Sequence, residues 1–589
     1  MLKKSTIWFL MIYILFGSVC LKAEPAQEPV TLKLFQIPDP KNTTAFNQAD
    51  LAVVRAFQEK YPYINLKRFS GIQIQGMGMD SGPLLAIAGG TSPDVIYVNF
   101  RQSDTYIQQG FLYPMDEYME DISEELQNLR VAKPVWPVIK RQGPDNKKHV
   151  YALPYNLYIR ALCYRKDLFA KVGLDPEQPP KDWKEFYEYA QKLTVPENKT
   201  YGLFMASGPS AAWDFMCYLW SAGGDAVVQD ENGQWQAVFD SDEAVEALLF
   251  YLKLITPKWT DSEGRTHEGY VLRSGIDNTA WSEGRLGMRM QYLDEKSIGR
   301  GIDPSILGIA PVPLGPTGLR GSELNCTMMG IFAGQKDKRV RDAAWKYIWF
   351  YDSEEARKIR MQVMIENGYG KLMNPVYLKR YGYEEYLEEV PKTWLPVFEE
   401  ALTNGKPEPY GKNCQMVYQF MTKPIDQAIA RAYRGTLGAT DDEKRKELKK
   451  ILITAVARTN KEMIGNISDE EQGFRKKIAF IVVVIGACIF CFVLYRVWNI
   501  FTPKGEGIPK GWGFRKNYIA YLIMLPAIAS IAIWMYGPML MGSKMAFQDY
   551  QLVQESSWVG LANFADVLFD ATWWQSIWHT FYYMILMLG

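Results

Sequence analysis

Pro29-Val30-Thr31-Leu32-Lys33-Leu34-Phe35 reads as a strand, and the alternation of elements after it decides the fold class. An amphipathic helix over Ala49–Lys60 comes next, then a second strand, Asn65-Leu66-Lys67-Arg68-Phe69. A helix near Pro83–Ala88 and a third strand, Asp94-Val95-Ile96-Tyr97-Val98, complete the run. Strand, helix, strand, helix, strand implies a parallel sheet covered by helices, an α/β architecture. Ligands in open α/β sheets sit beyond the carboxyl ends of the strands. Asn99, Phe100 and Arg101 follow such an end and are therefore candidate cleft residues.

Alternating apolar runs and helical patterns continue from this segment to about residue 465. The chain has 589 residues, so two to four domains are expected. Lys and Arg number 66 and Asp and Glu 66, which removes the global electrostatic case for a nucleic-acid partner. With 22% charged and 14% aromatic residues, the composition argues against a largely disordered chain. The mean hydropathy of −0.18 is that of a soluble protein. Among Cys20, Cys163, Cys217, Cys326, Cys414, Cys488 and Cys491, only Cys488 and Cys491, at CIFC, have CxxC spacing, and they sit inside an apolar run, which argues against a disulfide scaffold or a zinc cluster. His149, His267 and His579 are far apart and in no ligand-spaced motif, so no metal or nucleophilic centre is indicated. Glu388-Glu389 and Glu399-Glu400 are adjacent and point apart on a helix, which gives no glycosidase pair. The charged run Asp441–Lys450 reads as the exposed face of an ordinary helix.

The two ends of the chain differ from its middle. Met1-Leu2-Lys3-Lys4, an apolar stretch from Ile7 to Val19 and then Leu21-Lys22-Ala23 make an export signal, with cleavage expected after Ala23. Ile478–Tyr495 carries no charge and is bracketed by Arg475-Lys476-Lys477 and Arg496. Tyr518–Met541 is also uncharged, and a third apolar block starts near Trp573 and runs to Gly589. The first two are long enough to span a membrane. Loop 496–517 has five basic residues against Glu506, whereas loop 542–572 has Lys544 against Asp549, Glu555, Asp566 and Asp570. The positive-inside rule puts 496–517 in the cytoplasm and 28–465 outside, in agreement with the signal; Arg475-Lys476-Lys477 is the one discordant cluster.

Within the soluble region, Ala52–Pro62 with Ile64–Lys67, then Leu85–Val95, form a series that resembles family 1 extracellular solute-binding proteins. Tyr151-Ala152-Leu153-Pro154-Tyr155 through Cys163–Phe169 to Lys181-Asp182-Trp183 is the clearest match, a stretch that crosses between lobes in that family. Ala222–Asp225, Trp281–Gly284 and Gly308–Gly315 complete the series. Farther on, Ala520–Ala527, Tyr536-Gly537-Pro538, Phe547–Tyr550, Trp558–Phe564, Trp574 and His579-Thr580 resemble the start of maltose-type ABC permease subunits. The chain stops inside the next helix of that pattern, before the coupling loop.

The resemblance implies a two-lobed, periplasmic-binding-protein-like α/β domain with a cleft, its lobes interleaved in sequence, followed by transmembrane helices. The expected layout is a signal peptide at 1–23, a solute-binding domain at 24–470, a transmembrane helix at 478–495, a cytoplasmic linker at 496–517 and the start of a permease domain at 518–589. It implies a multi-pass protein of the cell (inner) membrane that binds an extracytoplasmic sugar, oligosaccharide or polyol and passes it to the import permease. The implied partners are a second permease subunit and a cytoplasmic ATPase dimer; no Walker motif occurs, no cofactor is implied and no enzymatic activity is expected. A tethered receptor without transport is the alternative, and an exported carbohydrate-cleaving enzyme a third. A sugar site needs aromatic faces, for which Trp213, Trp220, Trp281, Tyr155 and Tyr292 are candidates. It also needs polar partners for hydroxyls, and Asn99, Arg101, Asn156, Asp214, Gly224 and Asp225 complete the candidate set. Gly287–Tyr292 lacks the tryptophan the family often places there, with Tyr292 as the substitute.

Overall fold

The computed structural model describes residues 28–69, 81–273, 275–298, 302–502, 517–553 and 555–588. The expected signal peptide and most of the 496–517 linker lie outside the described residues.

The opening run folds as its pattern dictates. Val30–Leu34 buries every second side chain, Val30, Leu32 and Leu34, and pairs in parallel with Ile64–Arg68 and Val95–Val98. The intervening helix, Ala45–Lys60, buries Ala49, Val53, Val54 and Phe57 along one stripe. Pro62 comes two residues after its end, and a residue preceding proline is held out of the helical region, so the helix ends at Lys60. Helix Ser81–Ala88 leads to the third strand.

These strands belong to a ten-stranded sheet that runs through both halves of the domain. Its axis is the strand Leu153–Arg165, thirteen residues long. The first half of this crossing strand pairs with Glu323–Ile331, which in turn pairs antiparallel with Val95–Val98. The second half pairs with Leu286–Tyr292 on one side and Leu307–Ala310 on the other. Tyr201–Phe204 and Val271–Leu272 extend that second half outward. Thr327 faces Asn156 and Met328 faces Pro154, so Tyr155 is the extra residue of a bulge in the crossing strand.

Separate cores flank this axis. One gathers Leu32, Val54, Phe57, Val98, Leu153, Met328 and Tyr347. A second gathers Phe186, Leu203, Phe215, Leu248, Met288, Met421 and Ile451, and a third Ile159, Trp281, Leu307, Met361, Trp394 and Phe398. The chain therefore visits the first lobe, the second, the first again, and returns to the second with helices Val417–Tyr433 and Asp441–Thr459. The last of these is the charged run, started by a Thr440–Glu443 capping box and burying Leu448, Ile451, Leu452 and Val456.

Beyond the lobes, the described residues include two helical segments long and apolar enough to cross a membrane, Asp469–Phe501 and Tyr518–Met545, with their apolar side chains exposed. The second contains a π-helical turn at Ala532–Tyr536. A further helix covers Ala571–Leu588. In the basic cluster before Ile478, Arg475 is buried, donates to Glu471 at 2.6 Å and lies 5.0 Å from the Phe569 ring. One of the three charges that disagreed with the topology is thus locally compensated.

Candidate functional site

The sheet register places polar residues in a stripe where the lobes meet. Along the crossing strand, Asn156, Tyr158 and Arg160 share one face. Their partners across the ladders are Thr327, Asn325 and Tyr292 respectively, which share that face. Glu323, two residues before Asn325, continues it.

Glu323 is fully buried and is the hub of a hydrogen-bond network. Its Oε1 accepts from Tyr292 Oη at 2.6 Å, from Asn325 Nδ2 at 3.2 Å and from Trp213 Nε1 at 3.4 Å. Asn325 Nδ2 also donates to Glu408 Oε2 at 3.1 Å. Glu408 Oε1 lies 3.0 Å from Arg101 Nε, and the Arg101 guanidinium lies 5.2 Å from the Tyr418 ring. On the other side, Arg160 Nη1 is 3.7 Å from Glu323 Oε2, and Arg160 Nη2 is 2.5 Å from Asp214 Oδ1. The Arg160 guanidinium stacks 3.7 Å from the centre of the Trp213 ring. Burying charges this deeply is tolerable only when they are paired and hydrogen-bonded.

The electrostatics follow from burial. Burial pushes the Glu408 carboxyl up to about 7, with Glu323 adding to the rise and Arg101 opposing it. Burial also raises Asp214, against the pull of Arg160. The Tyr292 hydroxyl is raised well above the usual phenol range by burial and by Glu323 and Glu408. The result is a wall of donors and acceptors beside the rings of Trp213, Tyr292 and Tyr158, with Tyr292 5.8 Å from Trp213 and 5.5 Å from Tyr158. Such a surface can hydrogen-bond hydroxyls and cover an apolar ring face. Next to it, Tyr155, Asn156 and Tyr158 line a cavity of about 500 Å³.

The structure thus brings together Arg101, Trp213 and Tyr292 from the sequence candidates, and sets Tyr155 and Asn156 on the adjoining cavity. Of the other candidates, Asp214 belongs to the network as the partner of Arg160, and the rest lie elsewhere. Asn99 caps the helix Phe100–Gln108, its side chain accepting from Gln102 N at 2.9 Å. Phe100 is core. Trp220 and Trp281 are each 2% exposed, which leaves no ring face toward the cleft. Asp214 is sealed beneath Arg160, and Asp225 accepts from Trp220 Nε1 at 3.2 Å and from Ala226 N at 2.8 Å. Gly224 packs where a Cβ would come within 2.6 Å of Leu219 Cδ1, beside Gly223, which ends the helix Ala211–Ala222 with φ of 96°. Glu323, Asn325, Glu408, Tyr418, Tyr158 and Arg160 were not among the candidates. The signal that could have found Tyr158, Arg160, Glu323 and Asn325 is the recurrence of polar residues at every second position in two apolar strands, 156/158/160 and 323/325/327; Glu408 and Tyr418 carry no such signal.

Comparison with known proteins agrees with this architecture. The chain matches the family of bacterial extracellular solute-binding proteins over residues 41–358. It is 28% identical over 276 residues to a binding protein of Brucella abortus, covering 46% of this chain and 61% of that one. It is 26% identical over 309 residues to the maltotriose-binding protein of Pyrococcus abyssi, covering 50% of this chain and 57% of the relative. The chain therefore spans only about 60% of the length of these curated relatives. Among solved structures, the substrate-binding protein Lmo0181 of Listeria monocytogenes, in complex with cycloalternan, superposes with a TM-score of 0.53 at 19% identity, over 72% of this chain and 99% of that one. A solute-binding protein of Thermotoga lettingae bound to α-D-tagatose gives 0.51 at 20% identity, over 74% and 99%. These likenesses establish a shared fold, the two-lobed α/β fold of periplasmic binding proteins. With the family match covering more than half of its length, the chain belongs to the bacterial extracellular solute-binding proteins.

Proposed function

We propose that this protein binds a carbohydrate outside the cytoplasm, in the cleft between its lobes, and hands it to an ABC import permease whose first helices are part of the same chain. The single observation that carries the reading is the interlobe network, in which the rings of Trp213 and Tyr292 stand against hydrogen-bonding Asn325, Glu323 and Glu408. The binding of maltotriose, cycloalternan and tagatose by proteins of the same family or fold supports a sugar as the ligand class. The exposed apolar faces of Asp469–Phe501 and Tyr518–Met545 support membrane anchoring, since large exposed apolar surfaces mark lipid or partner contacts.

On this reading residues 1–23 direct export, 24–470 form the binding domain, 478–495 cross the membrane outward to inward, 496–517 are cytoplasmic and 518–589 begin the permease domain. A second permease subunit and an ATPase dimer supply the rest of the importer. Thermal unfolding of the full chain in detergent against a panel of sugars, oligosaccharides and polyols tests the binding claim. At least one of them raises the midpoint by ligand linkage and is recovered chemically unchanged; no shift with any of them refutes the reading. Vesicles carrying the chain with a second permease subunit and the ATPase separate transport from tethered reception: the importer reading expects ATP-dependent uptake, the receptor reading binding alone.

A further inference from the structure

The cavity beside the network contains charge that sugar hydroxyls alone do not call for. Four guanidiniums line it: Arg130, at the end of helix Glu124–Arg130, Arg357 and Arg360 on helix Glu354–Glu366, and Arg380 on helix Pro375–Tyr381. The carboxylates in its wall are Asp50, Asp294 and Asp352. Asp352 is shared three ways, by Arg130 Nη1 at 2.8 Å, Arg357 Nη2 at 2.7 Å and, more remotely, Arg360 Nη1 at 3.9 Å. Asp50 takes Arg360 Nε at 2.8 Å. Arg130 Nε is buried and donates to no acceptor among the described residues. Burial, together with Arg357 and Arg360, lowers Arg130 to about 10 although Asp352 opposes it. The lining is therefore one positive charge in surplus, and a buried donor is left over.

We propose that this cavity receives the carboxylate of a sugar acid, so that the ligand is a uronate-type carbohydrate. The inference rests on the carbohydrate reading above and narrows it. A carboxylate carries the one negative charge that balances the wall, and guanidiniums bind it through paired, charge-assisted hydrogen bonds. A phosphate monoester, with nearly two charges at neutral pH, overshoots that balance. The rings of Tyr155 and Tyr158 and the amides of Asn156 and Asn374 border the same space and suit the rest of a sugar. Its volume, about 500 Å³, falls in the range of small-ligand sites. Tyr158 joins it to the network through its contact with Tyr292.

The test is calorimetric titration of the full chain in detergent with D-galacturonate and D-glucuronate, their neutral parents galactose and glucose, and glucose 6-phosphate. The uronate is expected to bind about tenfold or more tightly than its neutral parent at low salt, and the ratio to shrink as salt screens the charge. Arg380→Gln, at an exposed position, is expected to narrow that ratio by roughly threefold or more. Equal binding of acid and parent overturns the inference while leaving the carbohydrate reading intact, as does a ratio indifferent to salt and to Arg380→Gln. Tighter binding of glucose 6-phosphate replaces the carboxylate with a phosphate and overturns it as well. Binding of none of the five sinks the inference, and a silent wider sugar panel sinks the carbohydrate reading with it.

Discussion

Replacing Glu408 by Gln removes a carboxyl whose burial raises its proton affinity. Glu408 is buried between Arg101 and Asn325, and its carboxyl moves from an ordinary value of 4.5 to about 7 in the folded protein. A shift of that size corresponds to roughly 3 kcal/mol between protonation states. The sign comes from proton counting. Between about pH 4.5 and pH 7 the folded chain holds this proton and the unfolded chain does not, so stability falls as pH rises through that window. Below pH 4.5 the contribution is fully present, and above pH 7 it is lost. Glutamine keeps the shape and cannot titrate, so the variant loses this one slope. Urea unfolding of both proteins in half-unit steps from pH 4.5 to pH 8, with the difference between them plotted, isolates the residue from every other carboxylate. The wild type should lose roughly 3 kcal/mol relative to Glu408→Gln across the window. A flat difference, or a wild type that gains on the variant as pH rises, refutes the placement of the proton.

Arg160→Met leaves Asp214 and Glu323 buried without their counter-ion and should cost about 3–5 kcal/mol in urea unfolding, part of it recovered on adding Asp214→Leu. Tyr292→Phe deletes the hydroxyl that donates to Glu323 at 2.6 Å; a loss of about 1.5–3 kcal/mol is expected, read by the same unfolding experiment. Gly321→Ala puts a Cβ within 1.9 Å of the Cys217 carbonyl oxygen and should destabilise by about 1–3 kcal/mol or more, since backbone must move. In contrast, Gly473→Ala meets nothing within 4 Å in its helix and should leave thermal stability unchanged or slightly raised.

The front of the domain was legible because its signals are local. Val30, Leu32 and Leu34 alternate, Pro62 stops a helix, and the strands Val30–Leu34, Ile64–Arg68 and Val95–Val98 fall within two residues of their expected bounds. The double role of Leu153–Arg165 was not legible from its residues, because a strand that changes partners halfway carries the same β-forming side chains throughout. Only the order of motifs along the chain pointed to a crossing there. The two tryptophan candidates of helix Ala211–Ala222 end in different places according to the face they occupy. In Ala211–Ala222 every residue but Trp213 is buried, and a helix apolar all round is a core helix. Trp220 follows that rule; Trp213, in the first turn and beside the crossing strand, escapes it and reaches Glu323.

The site's charges were hidden for a different reason. A count of 66 against 66 balances the chain, yet the balance is not kept locally. Within the interlobe network three carboxylates, Asp214, Glu323 and Glu408, face two arginines, Arg160 and Arg101. A buried charge without a partner is too costly to keep, so the third carboxylate must hold a proton or meet a hydrogen-bonding ligand. In the neighbouring cavity the imbalance has the opposite sign, four guanidiniums against three carboxylates. Neither surplus can be seen in composition, because their members come from positions as far apart as Asp50 and Arg380 or Arg101 and Glu408. The crossing strand gathers part of the network, and helices packed around it bring the arginines of the cavity; a surplus of opposite sign on each side of Tyr158 is the observation on which the proposed ligand site rests.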